Sequence, residues 1–308
     1  MKILMFGRGV IATTYGWALE RAGHQVEFYV RPGRAAEYGS TVDVDLLDAR
    51  KSPRGRPVAE TWPVRYREQL DADHDFDLIV VSVPHTRLTE AAEFLAPRIG
   101  AATVLIFGNI WAEPWDAVGD LPRDQVAWGF PGGGGGFDSE GVLRAGMLPF
   151  VVLGTIDRAP TERERAVRRV FRAAGFRVQE QPDFRGWLWI HFIADAGMFT
   201  PPGPLTDLIG NRQGLRDALL TTRELLPVLR ARGIDLRRHL GATLPYRAPA
   251  GATAAVMAWA TGSFALGRRS LEMHTDPRAP EEIAVRADTL AEARRRGVAV
   301  PRLAAAAG

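Results

Sequence analysis

Gly7, Arg8, Gly9, Val10, Ile11 and Ala12 form a G-x-G-x-x-A run. Before it lies a short apolar stretch, residues 2–6, and after it Tyr15, Trp17, Ala18 and Leu19 recur at helical spacing. Strand, glycine turn and helix in that order make a cradle for a pyrophosphate. Gly7 permits the tight turn, and Gly9 lets the backbone come close to phosphate oxygens. Ala12, in the slot for a third small residue, lets the helix approach the strand. The helix N-terminus adds unpaired N–H groups and a partial positive charge. A second strand is expected over residues 25–30, with Arg31-Pro32-Gly33-Arg34 at its end. An acidic residue there would hold the ribose hydroxyls of NAD. Arg31 and Arg34 suit a 2′-phosphate instead, because a guanidinium offers phosphate two parallel donors. The expected cofactor is NADP(H).

The elements that must position this turn follow from composition and pattern. The 308 residues allow two domains, and 46% of them are apolar, as in an ordinary globular protein. No apolar run approaches the roughly 20 residues of a membrane span. The first strand begins at residue 2, so no signal peptide is expected. There is no cysteine, which excludes disulfides, thiolate nucleophiles and cysteine metal sites. Together these point to a cytoplasmic protein. The net charge of +3 is a weak excess, and the basic runs at 163–172 and 294–296 read as solvated helix faces. No nucleic-acid partner is expected, nor a membrane. The six histidines show no metal-ligand spacing, so no metal is expected. Lys2 and Lys51 are the only lysines. The oligomeric state is not encoded legibly, which leaves a homodimer open.

Residues 77–83 (DLIVVSV) and 103–107 are near-continuous apolar runs, expected for parallel strands buried on both faces. Alternating stretches at 41–46 and 64–66 flank a basic, proline-containing loop. Helices are expected over 88–95 and 162–175, and strands over 126–130 and 147–153. Strands alternating with helices build a doubly wound parallel sheet, and ligands of such sheets bind at the carboxyl ends of the strands. Val83, Pro84 and Asn109 stand at such ends and are candidate cofactor contacts. So does the run Gly132 to Gly136, read here as a phosphate nest, a close pass or a mobile flap. After residue 183 the pattern is helical throughout: 187–199, 211–232, 252–266 and 280–297. The fold class is therefore α/β, an N-terminal Rossmann domain over residues 1–182 and an all-α domain over 183–308.

Along its full length the chain resembles the ketopantoate reductase (2-dehydropantoate 2-reductase) family. The matching features are the G-x-G-x-x-A turn, Val30-Arg31-Pro32, the DLIVVSV strand and the Asn109 loop. Further on come Leu188-Trp189, Ser270 with Glu282 twelve residues later, and Gly297-Val298-Ala299-Val300-Pro301. The resemblance implies an NADPH-dependent reductase. It implies a substrate-binding role for Ser270 and a catalytic role for Glu282, and it aligns the family's asparagine with Gly108 or, after a one-residue slip, with Asn109, which would then bind substrate. It also places the family's catalytic lysine at His191, its asparagines at Asp195 and Phe199, and a second lysine at Pro84. No lysine lies beyond residue 51, so either another acid serves or the chain does not carry out this chemistry.

His191 and Asp195 are spaced i, i+4 and share a helical face. A carboxylate beside an imidazole favours its protonated form and fixes its tautomer. The pair is a credible acid on the helix that carries the family's lysine. Asp195 alone is a second candidate. Without the family frame, His191 reads as a half-buried histidine on an aromatic helix. Ser270 could hold a substrate carboxylate, with Arg268, Arg269 or His274 nearby. The expectation is an NADPH-dependent oxidoreductase reducing a C=O or C=N bond of a small organic substrate other than ketopantoate, as in a specialised biosynthetic pathway. The alternative is a non-redox NADP-binding sensor or scaffold.

Overall fold

The apolar runs that read as buried strands all enter one sheet. The computed structural model of the protein describes residues 1–272 and 280–306. Its first part runs β1 (Lys2–Phe6), α1 (Val10–Glu20), β2 (Gln25–Tyr29), α2 (Arg34–Tyr38), β3 (Thr41–Asp48), β4 (Arg56–Pro63), β5 (Tyr66–Arg67), β6 (Leu78–Val81) and α3 (Leu88–Leu95). It continues β7 (Thr103–Phe107), α4 (Pro114–Ala117), β8 (Val126–Phe130), β9 (Gly133–Phe137), β10 (Leu143–Met147), β11 (Phe150–Gly154), α5 (Glu162–Ala173) and β12 (Arg177–Gln181). The helical part comprises α6 (Phe184–Met198), α7 (Arg212–Ala231), α8 (Leu240–Arg247), α9 (Ala250–Ser263), α10 (Ala265–Leu271), α11 (Pro280–Arg295) and α12 (Pro301–Ala306).

The chain divides into two compact units. One holds Met1–Gly108 and Ala112–Phe184; the other holds Asn109–Trp111 and Arg185–Gly308. In the first unit an eight-stranded sheet has the order β12-β11-β8-β7-β6-β1-β2-β5. The inner strands β8, β7, β6, β1 and β2 are parallel, as their apolar runs require. Ile3, Leu4, Met5, Leu78, Ile79 and Val80 are fully buried there. Each such side chain contributes about 1.5–3 kcal/mol on leaving water. The expected parallel sheet needs one correction: β11 pairs antiparallel with β8, so the sheet is mixed. The run read as one strand over 147–153 is in fact the end of β10, a break at Leu148-Pro149, and β11.

A second, four-stranded sheet has the order β4-β3-β10-β9. Val42, Val44, Leu46, Leu143, Ala145 and Met147 from this sheet share one core with Tyr15, Trp17 and Leu19 of α1. Two expectations change here. Residues 56–63, read as loop, form β4, paired antiparallel to β3 from Thr41↔Pro63 to Asp48↔Arg56. The polyglycine is neither nest nor flap but β9, paired antiparallel to β10 from Gly133↔Met147 to Phe137↔Leu143. Gly132, Gly133 and Gly135 are required by proximity. A Cβ on Gly135 would lie 2.2 Å from the Arg144 carbonyl oxygen, and one on Gly132 would lie 2.1 Å from that of Phe150. Tyr15 fixes the start of this strand: its hydroxyl donates to the Gly132 carbonyl at 3.0 Å and accepts from the Gly132 N–H at 2.7 Å.

Among its described residues the second unit contains no strand. Leu208, Leu215, Leu219, Ala254 and Leu271 form its core cluster, against which Met198, Phe199 and Tyr246 pack. Helix α8 and the C-terminal α12 add to the helices expected in this unit. The expected helix over 252–266 breaks at Phe264 into α9 and α10. Among the described residues no helix is long and apolar enough to cross a membrane.

Candidate functional site

In the first unit, β1 hands the chain to α1 through Gly7, whose φ of +95° is open to glycine and closed to most side chains. The Gly7 N–H donates to the Tyr29 carbonyl at 3.0 Å. Gly9 is the N-cap of α1 with φ −74° and ψ 174°, and no side chain caps the helix. A Cβ on Gly9 would meet nothing within 4 Å. The first N–H groups of α1 therefore stand uncapped behind an open glycine, which is the arrangement an anion needs. Ala12 is fully buried, and Val10 and Ile11 pack on the same core.

The arginines at the end of β2 differ in state. Arg31 is exposed, and no residue among those described accepts from it. Arg34 is ion-paired with Glu37, donates from Nη2 to the Tyr38 hydroxyl at 3.2 Å, and lies 5.0 Å over the Tyr38 ring. Val83 is half-buried just past β6, with its carbonyl oxygen 3.7 Å from where a Cβ on Gly108 would stand. Pro84 is exposed and leads into the short 3₁₀ turn His85–Arg87.

In the second unit, the side-chain amide of Asn109 donates to Asp195 Oδ2 at 2.8 Å. The other carboxylate oxygen, Oδ1, faces His191 Nε2 at 3.6 Å. The His191 ring stacks on Trp187, with centroids 5.4 Å apart and planes 9° from parallel. Helical spacing on α6 accounts for the pairing of 187, 191 and 195. Asn109 is positioned by Trp111, two residues on. Trp111 stacks on Phe192 at 4.6 Å and meets Trp189 edge-on at 6.4 Å. The Arg232 guanidinium lies 4.2 Å over Trp111 and 3.4 Å over Trp189, and it donates to the Trp111 carbonyl at 2.9 Å. Trp189 and Phe192 of α6 thus serve as packing around this brace.

The cluster has one member that carries no signal in the sequence. Tyr246, half-buried on α8, has its phenol held above the usual tyrosine range, first by burial and then by the negative charge of Asp195. Arg223 fixes its backbone by donating to the Tyr246 carbonyl at 2.5 Å. The asparagine, histidine and aspartate are thus brought together. Ser270 is exposed, and its hydroxyl donates to Gly267 in its own helix at 2.6 Å. Glu282 is buried and lines a recess of about 750 Å³ with Phe199, Thr200, Asp217, Arg286 and Arg302. Neither Ser270 nor the Asn109–Asp195 pair lines that recess. His274 lies outside the described residues.

A sequence model of the family described as Ketopantoate reductase PanE/ApbA matches residues 3–156, half of the chain. The chain belongs to this family. Its fold agrees with solved ketopantoate reductases. The 2-dehydropantoate 2-reductase of Geobacter metallireducens GS-15 superposes with a TM-score of 0.69 at 18% identity, covering 100% of this chain and 98% of that one. The PanE/ApbA family ketopantoate reductase of Ralstonia eutropha JMP134 gives 0.67 at 20% identity, covering 100% and 96%. A D-mandelate dehydrogenase, solved with NADH and anilino(oxo)acetate, gives 0.69 at 14% identity, covering 100% and 96%. None of the curated proteins matches the chain significantly.

Proposed function

We propose that this member of the ketopantoate reductase family is an NADP(H)-dependent oxidoreductase. In this reading it reduces a C=O or C=N bond of a small organic substrate other than ketopantoate. The observation that carries the reading is the chain Asn109–Asp195–His191, a proton-handling pair with its own positioning amide. The turn in the first unit fits a dinucleotide: α1 lacks a side-chain cap, Gly9 faces open space, and Arg31 has no acceptor among the described residues. Gly7 to Ala12 would hold the pyrophosphate and Arg31 the 2′-phosphate. Val83, Pro84 and Asn109 are the proposed contacts at the carboxyl ends of β6 and β7. The D-mandelate dehydrogenase of this fold, solved with NADH, is in keeping with a nicotinamide cofactor.

When bound, the nicotinamide supplies a hydride to the substrate carbon. As the new C–H bond forms, the π pair of the C=O or C=N bond moves to oxygen or nitrogen and needs a proton. His191 is the proposed donor. Asp195 balances the imidazolium charge and holds the ring, and Asn109 holds Asp195. Asn109 Oδ1 is buried and accepts from no group among the described residues, so it is an acceptor that a substrate or cofactor N–H or O–H would fill. The absence of lysine beyond residue 51 supports a changed substrate, since the family resemblance places the proton-donating lysine at His191.

The test follows NADPH absorbance with a panel of ketoacids, cyclic imines and bulky ketones, using the native chain, His191→Ala and Asp195→Asn. The expected result is turnover of at least one substrate, lost in the variants while NADPH still binds. Saturable NADPH binding with no turnover of any substrate would favour the sensor. A calorimetric titration in which neither NADPH nor NADH saturates the native chain would overturn the whole reading.

A further inference from the structure

Arg8 stands inside the phosphate-binding turn, yet its side chain is built into a separate structure. Its guanidinium carbon lies 4.6 Å from the centre of the Tyr38 ring and 4.9 Å from that of Phe137. Its Nε donates to the Tyr66 hydroxyl at 2.8 Å. Three elements of the first unit, α2, β9 and β5, thus converge on one guanidinium. A guanidinium between two aromatic faces keeps its plane fixed and its edge available for in-plane donors. Nε is used; the two Nη groups of Arg8 meet no acceptor among the described residues, although the side chain is half-buried. The phenol that fixes it, Tyr66, lies on β5, paired beside β2 in the register Phe28↔Tyr66. Tyr66 thus ties Arg8 to the strand beside β2, and Arg31 follows the carboxyl end of β2.

The neighbouring cation is differently placed. Arg34 pairs through Nη1 with Glu37 and donates from Nη2 to the Tyr38 hydroxyl, where it covers the ring also touched by Arg8. We propose that Arg8 and Arg31, rather than Arg31 and Arg34, form the clamp for a phosphomonoester on the adenosine ribose. Arg34 then acts only by bracing Tyr38. The assignment rests on the NADP(H) reading given above. It makes Tyr38, Tyr66 and Phe137 positioning residues for cofactor choice. It also gives the aromatic residue at the end of the polyglycine strand a use, as one wall of the sandwich.

The experiment is calorimetric titration of NADPH, NADH and 2′-AMP into the native chain, Arg8→Ala, Arg8→Lys, Arg31→Ala, Arg34→Ala and Tyr66→Phe, each first shown to melt cooperatively. Loss of a charge-assisted contact to phosphate is expected to weaken NADPH about 10–100-fold in Arg8→Ala and Arg31→Ala, and 2′-AMP in parallel. NADH is expected to change by less than about threefold in both. Arg8→Lys regains only part of the loss, since an ammonium cannot present two donors from between the rings. Tyr66→Phe frees Arg8 without touching the turn, and it weakens NADPH but not NADH. Equal losses for NADPH and NADH in Arg8→Ala would assign Arg8 to the pyrophosphate and overturn the proposal. So would a selective loss in Arg34→Ala with Arg8→Ala silent. If neither dinucleotide saturates the native chain, it is the parent reading that fails, which is a different result from either.

Discussion

The amide of Asn109 and the carboxylate of Asp195 meet at 2.8 Å although 86 positions separate them. Asp195 also faces His191, so each residue constrains the next. Asp195→Asn keeps the shape and removes the charge. It is expected to lower the rate of hydride transfer by about 10²–10⁴-fold, the range for loss of a general acid. Asn109→Ala is expected to cost less. In the double variant the two losses should fall well short of adding, because both act through one imidazole. Single-turnover NADPH oxidation checks this, and full additivity would argue against a shared proton donor.

Gly9 separates folding from binding. Its φ of −74° suits any residue, and a Cβ there meets nothing within 4 Å. Gly9→Ala should therefore change stability by less than about 1 kcal/mol. In the proposed reading the added methyl stands where phosphate oxygens approach, so dinucleotide affinity should fall at least about tenfold. Melting curves and dinucleotide titration on one sample read both effects. A variant that binds as the native chain does would remove the pyrophosphate from this turn.

Tyr15 sets an alkaline limit. Burial holds its phenol well above the usual tyrosine value. In the unfolded chain it ionises near about pH 10, whereas in the folded chain it stays neutral well beyond that. Its contribution is therefore full below about pH 10 and is lost as pH rises past it. Tyr15→Phe removes this dependence. It also leaves the Gly132 N–H unpaired, while the Gly132 carbonyl keeps its bond from Leu148 N–H. The expected cost at neutral pH is about 1–3 kcal/mol. Urea unfolding from pH 7 to pH 11 should show the native curve falling toward that of the variant.

Gly135→Ala and Gly251→Ala make the same chemical change in opposite settings. The first drives a Cβ to 2.2 Å from a backbone oxygen of β10 and should destabilise by about 1–3 kcal/mol or more. The second, on α9, would sit 3.8 Å from Arg212 Nη2 and should stabilise by up to about 1 kcal/mol through helix propensity. Equal effects in denaturant titrations would mean that β9 is not paired as described.

The residues that announced themselves were those whose role is local. Continuous apolar runs gave β6 and β7 within a residue or two; Gly7 announced the turn because its positive φ demands glycine, and Gly9 by its place in the motif. What stayed hidden depends on partners far away in the chain. Residues 56–63 carry prolines at both ends and a basic lead-in, and only β3 makes them a strand. Five glycines have no side-chain pattern at all, so the pairing of four of them, Gly133 to Gly136, with β10 is dictated from outside. His191 and Asp195 were visible through helical spacing. Tyr246, on another helix, feels the charge of Asp195 and has no spacing to betray it.

Trp111 belongs to a three-residue strip, Asn109–Trp111, that groups with the helices rather than with the segments on either side of it. A gene fragment starting at Arg185 would thus encode an unfinished protein. Arg232 would lose one of its two indoles and the carbonyl it donates to, Phe192 would lose its stacked ring, and Asp195 would lose its amide. Any attempt to express the helical half alone must graft those three residues back.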